Sequence, residues 1–167
     1  MRITYKRIIT TGTLFVAVCL FFAAFSASDI LAQDSARIVV QKIEPKELDK
    51  LMKSRESRSL VVAMASWCGP CRDELPFLIK LHNKYNDKGL KIVGISLDTD
   101  GPEAMQKIAD RMKVNFPIYW AGEEAADKYG IYAIPMLYLI KNGKVIEKIP
   151  GQQSEASLEK KIGGLLK

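Results

Sequence analysis

The sequence predicts an α/β domain of three layers, with a mixed central sheet flanked by helices. Three observations carry this. The runs Leu60-Val61-Val62-Ala63-Met64-Ala65 and Leu90 to Leu97 are apolar without alternation, which suits central strands covered on both faces. Segments with apolar residues at helical spacing alternate with these runs. Asn142-Gly143, between Met136 to Ile140 and Val145 to Ile149, marks a two-residue antiparallel hairpin, so the sheet is not purely parallel.

Ala36 to Ile43 reads as the first strand, with Val39 and Val40 apolar. Pro45 suits the start of a helix, where its missing donor costs nothing, and Leu48, Leu51 and Met52 recur at helical spacing. Ser57 and Ser59 mark a loop. Gly69 to Tyr85 reads as a long helix with Leu75, Leu78, Ile79 and Leu81 inward; Pro76 inside it should produce a kink. Asp87-Lys88-Gly89 ends that helix, and Asp98-Thr99-Asp100-Gly101-Pro102 turns the chain into another, whose Met105, Ile108, Ala109 and Met112 share a face. Phe116 to Trp120 is a short extended piece, and Glu123 to Tyr129 a short helix closed by Gly130. Pro135 opens the hairpin strand. The last helix is expected from Ser154 to Ile162, stopped by Gly163-Gly164.

Residues 1–32 read as targeting rather than fold. Arg2, Lys6 and Arg7 precede an apolar stretch from Leu14 to Phe25, and Ser26-Ala27-Ser28-Asp29 follows. The segment fits either a signal peptide, cut after Ser28 or Ala32, or a retained N-terminal membrane anchor. Its flanking charges place the rest of the chain across the membrane. Val16-Ala17-Val18-Cys19 is a poor lipoprotein signal. About 135 residues remain, 33–167, enough for one domain and too few for two. Loss of the leader takes three positive charges and one negative from +6 and leaves +4, spread along the chain. A nucleic-acid partner would need clustered charge, which is absent.

Beyond the leader only two thiols are left, Cys68 and Cys71, separated by Gly69-Pro70 at the start of the long helix. There the unpaired backbone donors favour negative charge, so the Cys68 thiolate is stabilised relative to a free thiol of pKa ~8.5. Glycine relaxes the bend and proline suits an early helical position. Cys71 lies one turn deeper. Cys68 is therefore expected to attack a substrate disulfide, and Cys71 to resolve the mixed disulfide. A structural zinc needs four ligands, and the one histidine, His82, sits away from the pair, so no metal is expected. A purely structural disulfide would constrain very little of the unfolded chain. No cofactor is expected beyond the pair.

Trp67 fits either a lip that touches a partner protein or core filling. Glu74, three residues past Cys71, is either a proton carrier for the buried thiol or an ordinary solvated helix carboxylate. Pro135, after Ile134, is either a strand-start proline or a cis-proline whose turn exposes backbone for a peptide.

At this point the chain resembles the thioredoxin-like proteins, and in particular their exported TlpA/ResA-type branch. Trp67-Cys68-Gly69-Pro70-Cys71 reproduces the thioredoxin motif, and Arg72-Asp73-Glu74-Leu75-Pro76 is similar to its continuation in the exported branch. Tyr129-Gly130-Ile131-Tyr132-Ala133-Ile134-Pro135 resembles the cis-proline segment. Leu137 to Gly143 and Gly151 resemble the closing hairpin and its glycine. The resemblance spans roughly residues 36 to 166. It implies a thioredoxin-like fold, with Asp98 to Trp120 as a TlpA-type helix-strand insertion. It implies Cys68 as nucleophile, Cys71 as resolving thiol, and Ile134 and Pro135 as holders of the substrate chain, in a groove with Trp67, Gly69, Pro70 and Met136. Two residues depart from the pattern. Val62 stands where thioredoxins bury an acid. Met136 stands where a threonine commonly follows the cis-proline, which should give the groove a softer apolar wall. Ile38 to Arg55 is more similar to thioredoxin's single strand and helix than to the hairpin of the exported branch.

The resulting expectation is an exported thiol-disulfide oxidoreductase that reduces protein disulfides in a bacterial cell envelope, in the periplasm or at the outer face of the inner membrane. Cytochrome c maturation or a similar pathway would use it, and a membrane electron donor would recharge it. Membrane contact would run only through an uncleaved leader. Three alternatives are a disulfide-forming oxidase, a non-catalytic binding or chaperone domain, and a thiol peroxidase. The first is disfavoured by Pro70, where strong oxidants usually carry a histidine; the second, by the intact pair. The third is disfavoured by the closeness of the thiols and by the lack of a further polar cluster visible near Cys68.

Overall fold

The two apolar runs form the middle of the sheet. The structure, a computed structural model, describes residues 37–55 and 58–167. Strands β1 (Gln41–Lys42), β2 (Arg58–Met64), β3 (Leu90–Ser96), β4 (Ile118–Trp120), β5 (Met136–Lys141) and β6 (Lys144–Pro150) form one six-stranded sheet in the order β1-β4-β3-β2-β5-β6. β2 runs parallel to β3 and antiparallel to β5, so the sheet is mixed as expected. The helices are α1 (Pro45–Met52), α2 (Gly69–Tyr85), α3 (Pro102–Met112), α4 (Glu124–Tyr129) and α5 (Glu155–Leu165).

Because strand side chains alternate between faces, β2 feeds two cores. Leu60, Val62 and Met64 pack with Leu75 and Leu78 of α2, Met105 and Ile108 of α3, and Leu158 and Ile162 of α5. Val61 and Ala63 face the opposite way, with Leu48 and Met52 of α1 and Ala125 of α4. Three layers result. The insertion expected between Asp98 and Trp120 supplies α3 and β4, and β4 carries β1 on its outer edge.

Three boundaries differ from expectation. The first strand is only two residues long, because a side chain takes the place of a sheet partner upstream of it. The Val40 amide donates to Gln106 Oε1 at 2.7 Å, and Gln106 Nε2 donates to the Ile38 carbonyl at 3.0 Å. Ser59, expected in a loop, is buried within β2, while Ser57 lies outside the described residues. α5 runs through Gly163-Gly164 to Leu165. Burying Leu165 there is worth roughly 2 kcal/mol, against about 1 kcal/mol for each glycine in the last turn. The leader, 1–32, lies outside the described residues; among those described, no helix is long and apolar enough to cross a membrane.

The β5–β6 hairpin turns where Asn142-Gly143 was expected, with φ of 53° and 73°. A Cβ on Gly143 would lie 2.5 Å from the Lys53 carbonyl oxygen. Gly143→Ala is therefore expected to cost about 2 kcal/mol or more, from left-handed strain plus a backbone clash. A denaturant midpoint unchanged from the parent would contradict this.

Candidate active site

Antiparallel pairing of β2 with β5 places Ala63 opposite Met136, so the end of β2 and the residue before β5 are neighbours. That register brings the thiol motif beside Pro135. After β2 the chain turns, the Cys68 amide donating to the Ala65 carbonyl at 3.1 Å, and Cys68 becomes the N-cap of α2. Its sulfur accepts the Cys71 amide at 3.2 Å. Cys68 and Cys71 are joined in a disulfide, with Cα atoms 5.3 Å apart. Both are nearly covered in this oxidised form, 4% and 2% exposed, so it is position on the helix that distinguishes them. Cys68 sits where the unpaired donors converge; Cys71 lies within the first turn.

Gly69 has no left-handed backbone, and a Cβ there would meet nothing within 4 Å. The bend does not require glycine, contrary to expectation, and the space around its Cβ position is open. Pro70 is exposed. Trp67 is 67% exposed, which removes the core-filling alternative. The Ile134-Pro135 bond is cis, and the Pro135 carbonyl accepts the Gly151 amide at 2.8 Å. Trp67, Ile131, Tyr132 and Ile134 line a groove of about 220 Å³ beside the motif. Met136 does not line it. Its side chain is fully buried in the second core, because the first residue of β5 points to the α1/α4 face, and the expected softer wall is corrected accordingly.

Val62 is buried in the first core, and no acid stands there. A carboxylate arrives instead from the helix. Glu74 is 0% exposed, so it is not a solvated helix carboxylate. Its Oε1 accepts the Gln153 amide at 2.7 Å, and its Oε2 has no protein partner. Burial pushes its pKa up to about 7, against the pull of the Gln153 hydrogen bond. His82 lies in the second half of α2, tilted against Phe116 at 6.0 Å, and burial lowers its pKa. Among the described residues no group of three His, Cys, Asp or Glu is placed to hold a metal.

One polar cluster escaped the sequence reading. Asp98, just past β3, is 2% exposed and accepts hydrogen bonds from Ser66 and Ser96. Sequence shows Ser96 and Asp98 two apart, but only the pairing of Met64 with Ser96 brings them under Ser66.

A cysteine pair heading a helix, next to the turn at Pro135 on this sheet, defines the thioredoxin-like class of redox protein. The AhpC/TSA family model matches residues 28–149. The chain is 30% identical over 133 residues to the thiol-disulfide oxidoreductase ResA of Bacillus thuringiensis (strain Al Hakam), covering 77% of this chain and 75% of that one. Among solved structures, a Chlorobium tepidum protein classed as a DsbE-type thiol:disulfide interchange protein superposes with a TM-score of 0.64 at 30% identity. That match covers 70% of this chain and 85% of the other. A thioredoxin-family thiol:disulfide interchange protein from Chlorobium tepidum TLS gives 0.61 at 25% identity, over 68% and 82%. The chain belongs to the AhpC/TSA family and, within the thioredoxin-like superfamily, to the ResA/TlpA-type thiol-disulfide oxidoreductases. It is an enzyme whose redox centre is the Cys68–Cys71 pair.

Proposed function

We propose that the enzyme works as a reductant of protein disulfides on the outer side of a bacterial inner membrane. The observation that carries this is Cys68 as N-cap of α2, with no imidazole beside the pair to stabilise its thiolate further. The Cys68 thiolate attacks a substrate disulfide, and the displaced sulfur leaves as a thiolate. The Cys71 thiolate then attacks Cys68 Sγ, which releases the second substrate thiolate and closes the Cys68–Cys71 disulfide. Two electrons pass to the substrate. Glu74, one turn along the helix from Cys71, takes the Cys71 proton. Trp67, Ile134 and Pro135 seat the substrate chain, with Gly69 and Pro70 leaving room for it. A membrane electron donor returns the pair to the dithiol, and an envelope pathway such as cytochrome c maturation supplies the substrates.

A modestly stabilised thiolate means a reducing couple, so the reduction potential is expected near thioredoxin's, about −270 mV, rather than the roughly −120 mV of a strong oxidant. Titration in dithiothreitol or glutathione buffers, followed by Trp67 fluorescence, measures it. A value above roughly −170 mV would replace the reductant with the oxidase. Export rests on the basic-then-apolar leader before residue 32. Cell fractionation with external protease is expected to find the domain accessible outside the inner membrane. An intact chain in the cytoplasm would refute export, and full-length chain in the membrane would select anchor over cleaved signal.

A further inference from the structure

Every polar group of Ser66 is pinned. Its amide donates to Asp98 Oδ1 at 3.0 Å and Oδ2 at 3.1 Å, and its hydroxyl donates to Oδ1 at 2.6 Å. Its carbonyl accepts Arg72 Nη1 at 2.9 Å. Ser66 stands two residues before Cys68, at the corner that delivers Cys68 to the helix N-terminus. The carboxylate beneath it is held from the other side by Ser96 Oγ at 2.7 Å, and the Asp98 carbonyl accepts Trp120 Nε1 at 2.6 Å. The sheet does not need this carboxylate for its register, because the Leu97 amide already donates to the Met64 carbonyl at 2.9 Å. A buried carboxylate is costly unless its hydrogen bonds are complete, and an apolar filling would serve packing alone at least as well. Its consequence lies two residues away, where a second negative charge forms whenever the disulfide is reduced. Like charges in a poorly solvated site oppose each other.

We propose that Asp98 is a positioning residue that, through Ser66, fixes the Cys68 corner and limits the stability of the Cys68 thiolate, holding the couple on its reducing side. This rests on the oxidoreductase reading of the pair. Other charged or titratable groups at the site are Cys71 in the reduced pair, Arg72, Asp73 and Glu74 on α2, and Glu123 and Tyr132 along the groove beside Trp67. Only Asp98 is buried against the residues that precede the nucleophile. Asp98→Asn keeps the shape and an acceptor for Ser66 while removing the charge. Ser66→Ala does the reverse: the charge stays and loses one of its neutralising donors.

The test uses the full chain in mild detergent. It measures the pH profile of Cys68 alkylation in the reduced protein, and the equilibrium in which two glutathione thiols reduce the disulfide to the dithiol and form glutathione disulfide. Asp98→Asn is expected to move the alkylation midpoint down by about half a pH unit or more. It should also shift the equilibrium about threefold or more toward the dithiol, about 15 mV on a two-electron couple. Ser66→Ala is expected to move both the opposite way. A structural role would lower the melting temperature of both variants and leave these readouts in place. Midpoints within about 0.2 unit of the parent, or both variants moving together, overturn the proposal. Should Asp98→Asn fail to fold, Ser66→Ala alone decides: an upward midpoint supports the proposal and any other result overturns it. A parent with no dithiol-disulfide equilibrium overturns the redox reading itself, a result distinct from variants that titrate like the parent.

Discussion

Cys71→Ala is expected to leave the enzyme covalently attached to its partners. With Cys68 at the helix N-terminus and Cys71 inside the first turn, the variant retains the attacking thiolate but has nothing to resolve the mixed disulfide. Cys68→Ala retains a thiol shielded within the turn and should trap no partner. Turnover with a protein disulfide should fall by about 10³-fold or more in each variant, since two thiols acting as a unit lose their function together. Non-reducing gels of envelope extracts, with mass spectrometry of the adducts, read the outcome and identify the substrates. In the reduced parent, alkylation at neutral pH should mark Cys68 far faster than Cys71. Trapping by the Cys68 variant, or equal labelling of the two thiols, would reverse or dissolve the assigned roles.

How much of this was legible in the sequence depends on how local each feature is. The span of α2 is set by neighbours in the chain, Gly69-Pro70 at its start and Leu75, Leu78 and Leu81 along one face, and it falls where the sequence places it. The hairpin at Asn142-Gly143 is equally local. Features fixed by distant partners were hidden. β1 is short because Gln106, more than sixty residues away, takes up the backbone of Ile38 and Val40. α5 passes through two glycines because Leu165 has a core to enter. Met136 was assigned to the groove by its position next to Pro135, yet strand alternation turns it to the opposite core. Asp98 looked like a turn residue until parallel pairing set it beneath Ser66. The thiol pair was plain throughout, because its chemistry needs only the spacing and a helix start. The burial of Glu74 was not, since α2 presents that position to Gln153 from the loop before α5.

That burial gives the second large effect expected. In the folded protein Glu74 titrates at about 7, while an ordinary glutamate stands at 4.5. Between those values the folded chain holds a proton that the unfolded chain has already lost, so stability falls as pH rises through the window. The protein has this stability in full below about 4.5 and has lost it above about 7, a difference on the order of 3 kcal/mol. Glu74→Gln removes the titration. Its amide puts two N–H donors at the Oε2 position, which has no protein partner, where the protonated glutamate has one O–H, and this offsets part of the gain. The variant is therefore expected to be more stable than the parent by about 1–3 kcal/mol at pH 8, with the advantage gone or reversed at pH 4.5. Urea midpoints at the two pH values measure this; parallel pH curves for parent and variant would show that Glu74 does not titrate in this range. The proposed transfer of the Cys71 proton to Glu74, three residues along the same helix, makes a second demand on this carboxyl. Glu74→Gln should then slow release of the mixed disulfide by about 10²-fold and make that intermediate accumulate, because general acid-base catalysis is worth at least that much. Gained stability together with lost turnover is the combination that a structural carboxylate does not produce. Unchanged turnover in a stabilised variant would leave Cys71 to lose its proton directly to water.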